Sequence, residues 1–460
     1  MRFLVSSISF LALLTPAISS NPTAVEATKF SLIYGYPLLP FTQWAVPIVS
    51  SHYGTNSFKH NRQLSTAADQ AVVRPNVDTL YSQAILDLSA NDLVIEIPLI
   101  THRYWVFPFY DAYGNNYANL GSSHHNIPGR YRIRFANSAT EKPGVYLCNQ
   151  GAKNNSLSND TCAGYRGFIN SPTPYGGIVG RILVKDNGSD IQHVYAIQNQ
   201  TTLYPVTRWN PDHSFKVPKL TTEFLNGSLS SDIPTRIMQL TARIAPFNPA
   251  RNFTDQPRVQ RMLREAGIHK GQYTPTVGNL TLLAQKALAD VKANAAQPGH
   301  MGNLKNNWHA LNPSDQGDYN MDYKMRSFVA STGYLALVAT EVLYPFYGDG
   351  SNFSMEPKQA YIITFNNKPP QTEFGFWSLT AYNARQFLVP NPLNRYAVGD
   401  RSNLTYADGS LVYGSGSKNE SFQILVQSAN IPPPQNWTAN WLPVPAHGSF
   451  SITPTAPRNF

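Results

Sequence analysis

The sequence predicts an α+β protein in which β layers dominate and a helical section separates two strand-rich parts. Apolar and polar residues alternate with the period of a strand after Val72 and again toward the C-terminus. Between these parts, apolar residues recur every three or four positions, as on one face of a helix. The order of strands, then helices, then strands is typical of α+β chains.

The N-terminus has the pattern of a secretory signal peptide, which we predict over residues 1–19. Arg2 precedes an apolar run from Phe3 to Leu14, and small residues follow at Ala17 and Ser19. The run is shorter than the roughly 20 residues that cross a bilayer, which favours a signal peptide over a membrane anchor. We therefore expect a secreted protein without a transmembrane segment, either released or associated with the cell surface.

Potential N-glycosylation sites support the same expectation. An Asn-x-Ser/Thr triplet without a central proline begins at Asn154, Asn159, Asn187, Asn199, Asn226, Asn252, Asn279, Asn352, Asn403, Asn419 and Asn436. Such triplets also arise by chance in a chain rich in Asn and Ser. Their density favours a glycoprotein with glycans on surface loops.

Cys148 and Cys162 are the only cysteines. In an oxidising compartment, they are expected to form one disulfide that closes a short loop and contributes about 3 kcal/mol. A metal pair and a reactive thiol are the alternatives.

Composition narrows the possible partners. The chain is 12% aromatic and 14% charged, which is typical of an ordered, core-rich protein long enough for two or three domains. Its net charge of +9 is spread along the sequence, whereas nucleic-acid binders usually have basic clusters. We expect no nucleic-acid partner and only a mild attraction to anionic surfaces.

The elements follow this order along the chain. Residues 28–53 predict a helix broken near Pro37, and LVIEIP predicts a strand with Leu93, Ile95 and Ile97 on one face. Further strands are predicted at RYWVFPFY, GRYRIRF, GVYLCN and GGIVGRILV, and a helix at DIQHVYAIQ. The middle section predicts helices at IPTRIMQLTARI, VQRMLREAG, LTLLAQKALADVKANAA and YKMRSFVASTGYLALVATEVLY. Strands return at QAYIITF, FWSLTAY, FLVPNP, SLVYG, FQILVQ and SFSIT.

Several multi-residue blocks resemble two known domain families. RPNVDTLYSQAILDLS, RYWVFPFYDAYGNNYANLGS, GRYRIRF and GRILV with DIQHVYAIQNQTTLYPVTRW resemble the domain of unknown function family 1254. PPQTEFGFWSLTAYNARQFLVPNPLNRYAVGD, DGSLVYG and NWLPVPAHGSFSIT resemble family 1214. The blocks occur in the order usual for this pairing.

This resemblance implies mainly antiparallel β-sandwich, jelly-roll-like layers accompanied by a helical part. It implies a family 1254-like domain over residues 20–225, a helical middle section over 226–345 and a family 1214-like β domain over 346–460. It implies no activity, because neither family has an established one. The loop between the two cysteines departs from the family pattern as an insertion.

The stretch RPNVDTLY predicts a rigid turn before a strand. Pro75 fixes its own φ and favours an extended Arg74, while Asn76 and Asp78 bond nearby backbone amides. In a purely structural role, Arg74 would pair with Asp78 or Asp87. Alternatively, this turn and the YDAYGNNYANLGS loop meet at one end of a sheet and form a polar pocket lined by aromatic residues.

In that pocket, Asp111 is the candidate base, with Tyr110 beside it as the second catalytic residue and Arg103 balancing charge. Aromatic faces and amides suit a sugar or an oxygenated aromatic molecule. The candidate binding residues are Arg74, Asn76, Asp78, Tyr81, Arg103, Tyr104, Asn115, Asn119, Trp377 and Arg395.

Two further groups have both a functional and a structural interpretation. His124 and His125 are the best metal candidates, but neighbouring strand residues face opposite sides, and we predict no metal or other cofactor. Arg130, Arg132 and Arg134 lie on one face of a strand, and this face is expected to be solvated rather than to bind an anion.

The C-terminal corner FWSLTAY to NPLNRY combines aromatic, amide and arginine groups. We expect Arg395 to pair with Asp400, in a corner that either locks the sandwich or faces the first domain across a cleft. The residues concerned are Trp377, Tyr382, Asn391, Asn394, Arg395 and Tyr396.

Absent motifs limit the chemistry. The sequence has no GxSxG elbow, no GxGxxG after a strand and no P-loop. GGIVGR lacks dinucleotide-binding spacing and predicts close strand packing instead. Two possibilities are compatible with the sequence: acid–base catalysis by carboxylate, His and Tyr side chains, or a protein without catalytic activity.

The leading hypothesis is a secreted, enzyme-like glycoprotein that binds a small oxygenated organic molecule. Its role would be to transform this molecule in natural-product tailoring or extracellular catabolism. The alternative is a non-catalytic carbohydrate-binding glycoprotein of the cell surface or wall. A metal-dependent oxidase or hydrolase using His124 and His125 is a third hypothesis. The sequence does not distinguish among them, nor does it define an oligomeric state.

Overall fold

A computed structural model describes residues 22–70, 73–136, 140–148, 162–185, 188–208, 216–347, 353–369 and 374–457. The predicted signal peptide and the sequons at Asn154, Asn159, Asn187 and Asn352 lie outside these residues. Among the described helices, none has the length and apolar character needed to span a bilayer.

Most of the helices begin and end close to the predicted positions. They are α1 (Ala24–Gly35), α2 (Leu38–Val49), α3 (Ile191–Gln200), α4 (Thr222–Asn226), α5 (Ile233–Ile244), α6 (Gln256–Glu265), α7 (Leu280–Ala295) and α8 (Tyr323–Gly333). The predicted break near Pro37 is confirmed, since α1 ends at Gly35 and α2 begins at Leu38.

The first strand-rich part forms a sandwich of two five-stranded sheets. Its strands are β1 (Lys59–His60), β2 (Thr79–Asp87), β3 (Asp92–Ile97), β4 (Trp105–Asp111), β5 (Asn116–Gly121), β6 (Gly129–Phe135), β7 (Gly144–Leu147), β8 (Gly167–Ser171), β9 (Tyr175–Leu183) and β10 (Thr202–Val206). One sheet has the order β1-β2-β9-β4-β5 and the other β10-β3-β6-β8-β7. Pairing is antiparallel except between β6 and β8.

The core of this sandwich follows from the alternation in its strands. Leu93, Ile95 and Ile97 of β3 are at most 1% exposed and pack with Phe107 of β4, whereas Glu96 is exposed. The predicted buried face of this strand is therefore confirmed.

Short strands accompany the helices, and a second sandwich closes the chain. The remaining strands are β11 (Ile268–His269), β12 (Gln272–Tyr273), β13 (Met301–Asn303), β14 (Trp308–Leu311), β15 (Val342–Leu343), β16 (Phe346–Tyr347), β17 (Phe353–Met355), β18 (Ala360–Phe365), β19 (Ser378–Asn383), β20 (Ala397–Gly399), β21 (Phe422–Ser428), β22 (Trp441–Val444) and β23 (Gly448–Pro457). A sheet of β15, β23, β19 and β20, joined by β17, faces the sheet β18-β21-β22 across a shared apolar core. The α+β prediction is confirmed.

Helix α8 joins the helical part to the first sandwich through Arg326. The guanidinium of Arg326 lies 4.6 Å from the ring centroid of Tyr34 in α1 and 4.4 Å from that of Tyr113 after β4. Its Nη2 also donates to the carbonyl of Tyr34 at 2.7 Å. Helix α1 thus packs with α5 to α8, whereas α2 packs with α5 and also against the strand β2.

Two sequence expectations are wrong in detail. Helix α8 ends at Gly333, not near Tyr344, because the chain turns at Leu335, whose φ is 64°. The arginine face of β6 is not uniformly solvated either. Arg130 is exposed, but Arg132 is only 5% exposed and pairs with buried Asp92 at 2.9 Å.

The predicted disulfide between Cys148 and Cys162 is present. It joins the end of β7 to the residues before β8 and closes the loop that contains the sequons at Asn154 and Asn159. The cysteines therefore serve as a bridge across adjacent strands, and neither is free.

The glycines of GGIVGR allow close packing on β9, as predicted. A Cβ on Gly177 would collide with the Trp44 ring of α2 and lie 2.8 Å from the carbonyl oxygen of Ala84. A Cβ on Gly180 would lie 2.5 Å from the Phe107 ring. Helix α2 can lie against β9 because Gly177 has no side chain, and the absence of a side chain at Gly180 leaves room for Phe107.

Replacing Gly177 with Ala should lower the free energy of unfolding by about 1–3 kcal/mol, the usual cost of overpacking a core. Gly333→Ala is the matched control, because a Cβ there meets no atom within 4 Å. Urea denaturation of both variants tests this. Equal stability of the two would show that α2 does not constrain this strand.

Candidate functional site

The RPNVDT turn forms as an Asx turn, although Arg74 is not extended as predicted. The side-chain oxygen of Asn76 accepts hydrogen bonds from the backbone amides of Asp78 at 2.8 Å and Thr79 at 3.0 Å. Arg74 has a φ of 51° and donates through Nε to Gln386 at 2.7 Å, instead of pairing with Asp78 or Asp87. Its partner belongs to the second sandwich.

The same turn is a contact between the two sandwiches. The Asp78 carboxylate accepts from Ser378 Oγ at 2.7 Å and forms an ion pair with Arg401. Tyr382 donates to the carbonyl of Pro75 at 3.1 Å. Because Asp78 is only 7% exposed and its oxygens are occupied, these bonds give it a docking role in the structure.

The C-terminal candidates contact other parts of their own sandwich. Trp377 Nε1 donates to Tyr413 at 2.6 Å. The expected Arg395–Asp400 pair does not form. Asp400 pairs with its neighbour Arg401 at 2.9 Å. Arg395 donates to the carbonyls of Thr438, Ala439 and Trp441.

Asp111 lies inside the first sandwich, where its own loop saturates the carboxylate. Oδ1 accepts from the amides of Tyr113 at 2.9 Å and Asn115 at 3.0 Å, and Oδ2 accepts from Asn115 Nδ2 at 2.7 Å. Burial raises the pKa of Asp111, and the Asn115 bond opposes that rise. The buried carboxylate already accepts three hydrogen bonds from its own loop, which gives it a structural role.

The other members of the predicted pocket are also placed by internal bonds. Arg103 is 6% exposed, pairs with Asp190 at 2.8 Å and donates to the carbonyl of Leu183. The Asn119 side chain accepts from Asn116 at 3.0 Å. Among the described residues, neither Arg103 nor Asn119 forms a hydrogen bond with Asp111.

The predicted tyrosines do converge, but around an arginine that sequence reasoning did not select. We call Tyr81, Tyr104, Tyr110, Arg181 and Tyr344 the Arg181 cluster. Tyr81 of β2 is in register with Arg181 of β9, and Arg181 Nη1 lies 3.3 Å from the hydroxyl of Tyr344. Arg181 Nη2 and the Tyr110 hydroxyl both donate to the carbonyl of Leu335, at 3.2 and 2.8 Å.

A histidine–glutamate pair adjoins the Arg181 cluster. Glu341 is fully buried and forms a hydrogen bond through Oε1 with Nε2 of His124, whose side chain is 40% exposed. The bond to Glu341 raises the pKa of His124, burial opposes the rise, and the negative charge of Glu341 adds to it. Burial, followed by the charge of Glu341, also raises the pKa of Tyr104.

Three buried polar atoms here have no hydrogen-bond partner among the described residues: the Tyr104 hydroxyl, Arg181 Nε and Glu341 Oε2. An unpaired buried polar atom costs about 1–3 kcal/mol, so a group of three that lie together is a candidate ligand contact. Tyr104 and Glu341 are buried, whereas Arg181, Tyr81 and Tyr344 are partly exposed and His124 is exposed. The group therefore combines unpaired buried polar atoms with partly exposed polar neighbours.

This arrangement can perform acid–base chemistry on an oxygenated ligand. A half-exposed histidine backed by a buried carboxylate can accept and return a proton. Tyr104 stays neutral because its pKa is raised, so it can donate to a ligand oxygen. Arg181 supplies a fixed positive charge for a developing oxyanion.

Sequence reasoning did not select Arg181, Glu341 or Tyr344. Arg181 lies within a glycine pattern, and Glu341 and Tyr344 lie in an apolar stretch predicted to be helical. A single charged residue in an otherwise apolar strand or run is the signal that would have found Arg181 and Glu341.

A metal-capable group lies elsewhere, in the helical part. His300, Asp315 and Asp322 offer ligand atoms within 4.8 Å of one another, and His300 Nδ1 lies 3.1 Å from Asp315 Oδ2. His124 pairs with Glu341, while His125 is exposed in the left-handed region, with a φ of 51°. The two adjacent histidines thus do not share one ligand set.

Two parts of the chain match known family models. Residues 55–205 match the family model "Protein of unknown function (DUF1254)", and residues 341–456 match "Protein of unknown function (DUF1214)". The pairing that the sequence resemblance implied is confirmed. No curated protein matches this chain.

Solved structures resemble the chain over nearly its whole length. The VPA0106 protein from Vibrio parahaemolyticus is 18% identical, with 94% of each chain covered and a TM-score of 0.56. An uncharacterised protein from Burkholderia cenocepacia is 11% identical, with 94% of this chain and 90% of that chain covered and a TM-score of 0.39. The first likeness supports the fold and carries no statement about activity.

Replacing Asp111 with Ala should lower the free energy of unfolding by about 3 kcal/mol, because it leaves buried donors unpaired. Glu265→Ala, at an exposed position of α6, is the control. Urea denaturation measures both. Wild-type stability of Asp111→Ala would instead restore Asp111 as the candidate base.

His124 should titrate above the ordinary histidine value of about 6.5. Since folding raises its pKa, its protonation stabilises the protein fully below that value, and this contribution is lost as pH rises through the folded pKa. NMR titration of the imidazole should show the raised pKa, and Glu341→Gln should lower it. An unchanged titration in Glu341→Gln would exclude the pairing, and Glu265→Gln serves as the charge-matched control.

Proposed function

We propose that this chain, which pairs DUF1254 and DUF1214 domains, binds and transforms a small oxygenated organic molecule at the Arg181 cluster, with His124 and Glu341. The observation that carries the proposal is the set of three unpaired buried polar atoms, one each on Tyr104, Arg181 and Glu341. A ligand oxygen that accepts from Tyr104 and Arg181 would satisfy two of them.

The proposed reaction is proton transfer next to a carbonyl or phenolic oxygen. His124 removes a proton from the ligand, and the resulting negative charge develops on the ligand oxygen near Arg181 and Tyr104. Glu341 orients the imidazole and stabilises its protonated form. His124 then returns the proton to another position, so no oxidant or further reactant is needed.

Aromatic faces favour a ligand with a flat or ring-shaped body. The Tyr104 ring packs against Phe376 at 5.5 Å between centroids, so the second sandwich also contacts the Arg181 cluster. Tyr81 and Tyr344 are partly exposed beside Arg181. Such rings provide contact area, while the few polar groups determine orientation.

The proposed setting is extracellular, in natural-product tailoring or catabolism, with the protein released or held at the cell surface. The N-terminal signal pattern and the sequons support this setting. Sequon asparagines with exposed positions are Asn199, Asn226, Asn279, Asn403, Asn419 and Asn436, whereas Asn252 is partly exposed. Surface exposure suits glycan attachment.

The alternative function, carbohydrate binding without catalysis, has one specific observation in its favour. Tyr347 is 40% exposed, its ring centroid lies 5.5 Å from that of Trp308, and it stacks on Phe353 at 5.4 Å. Partly exposed aromatic rows can stack on sugar rings. This alternative would be favoured if insoluble polysaccharide retained the protein, if Tyr347→Ala abolished this retention, and if the protein transformed no small compound.

Tyr104→Phe should weaken ligand binding at least about tenfold while leaving the melting temperature equal or higher, because it removes an unpaired buried hydroxyl. Tyr117→Phe is the matched control, since Tyr117 is another buried tyrosine whose hydroxyl is unpaired among the described residues. The readout is native and then denaturing mass spectrometry of gently purified protein, which measures occupancy by a co-purifying molecule. Full occupancy in Tyr104→Phe would overturn the site.

The same variants test catalysis through proton exchange. The protein is incubated in deuterium oxide with a panel of small carbonyl and phenolic compounds. Protons of the compound that binds should be replaced by deuterium, and NMR measures the rate of this exchange. His124→Gln should slow this exchange about 100-fold and retain binding, as expected for loss of a general base. Exchange at the wild-type rate in His124→Gln would exclude the proposed mechanism.

A further inference from the structure

The helical part contains a cavity that is separate from the Arg181 cluster. Its volume is about 310 Å³, and it lies between α6, the chain after α5 and the β11–β12 hairpin. This size is near the lower end of small-molecule sites. Its lining shares no residue with the Arg181 cluster, His124 or Glu341.

The interior of the cavity is apolar. Helix α6 contributes Val259 and Leu263, which are 3% and 7% exposed, and the hairpin contributes Ile268. The remaining apolar lining consists of Tyr34, Ala245, Pro246, Pro249 and Ala250. These side chains would bury a hydrocarbon or aromatic body without requiring polar groups from it.

The mouth of the cavity is basic. Arg264, His269 and Lys270 line it at exposed positions, and no acidic residue is among the lining residues. Within the described part of the chain, neither Arg264 nor Lys270 has an ion-pair partner. Lys270 has a φ of 50° in the tight hairpin turn, which places this cation beside the mouth.

The floor adds a polar group. Tyr34 lines the cavity and is 0% exposed, and its hydroxyl has no hydrogen-bond partner among the described residues. Its ring is held between Tyr113 and Tyr323, each at 5.0 Å between centroids. Because this ring cannot move freely, the cavity has a preformed wall.

We infer that this cavity binds a small amphiphilic carboxylate, with its apolar body against α6 and its carboxylate at Arg264 and Lys270. An apolar interior alone would accept a neutral hydrocarbon equally well. The unpaired side chains of Arg264 and Lys270 at the mouth favour a carboxylate over a neutral ligand. No acidic side chain of the described residues lines the cavity to repel that carboxylate. This ligand site goes beyond the proposed function and does not depend on it.

Calorimetric titration of the full-length protein with octanoate, and separately with 1-octanol of the same chain length, tests the inference. Octanoate should bind about tenfold more tightly, the effect expected from about two solvent-exposed charge contacts. The double variant Arg264→Gln/Lys270→Gln should remove this difference. Lys286→Gln/Lys292→Gln on α7 changes the net charge equally at exposed positions and should leave it unchanged.

A second variant tests the location. Gln260 is an exposed lining residue, so Gln260→Trp should fill the mouth without disturbing the core and abolish binding of both compounds. Equal affinity for octanoate and octanol, insensitivity to Arg264→Gln/Lys270→Gln, or no binding of octanoate would each overturn the inference. Octanoate binding should persist in Tyr104→Phe and His124→Gln, which separates failure here from failure of the proposed function.

Discussion

The segment from Leu335 to Tyr344 lies against the first sandwich, and its backbone carbonyls need hydrogen-bond donors there. The rest of the candidate site depends on the side chains that supply these donors. Buried carbonyl and amide groups are costly when unpaired. Tyr110 and Arg181 both donate to the carbonyl of Leu335, and Gln316 Nε2 donates to the carbonyls of Leu337 and Val342, each at 2.9 Å. These bonds position Glu341 and Tyr344 beside the sandwich.

Buried polar groups of this molecule differ in how fully their hydrogen bonds are satisfied. Asp111 is saturated by its own loop, and Asp78 is held by Ser378 and Arg401 across the sandwich contact. Tyr104 and Glu341 are as deeply buried, yet each retains an unpaired atom. Burial alone therefore does not distinguish these groups. The proposed site is defined by unpaired atoms that lie together with partly exposed neighbours.

The helical part and the first sandwich are tied by aromatic and cationic groups rather than by a strand. Arg326 lies within 5 Å of the ring centroids of Tyr34, Tyr113 and Tyr323. Tyr34 is also a wall of the amphiphile cavity, and Tyr113 follows the β4 strand that carries Tyr110. The Arg181 cluster and this cavity thus share an aromatic frame, while their residues remain distinct.

The sequence by itself determined the α+β class, the break between α1 and α2, the buried face of β3, the close packing at Gly177 and the disulfide. Each depends on local periodicity, a backbone restriction or a cysteine pair, which neighbouring residues reveal. Only the tertiary structure decided that Arg74 meets Gln386, that Asp111 is saturated, and that Arg181, Glu341 and His124 belong to one site. His124 and Glu341 are 217 residues apart, and no local pattern encodes which distant polar groups share a buried space.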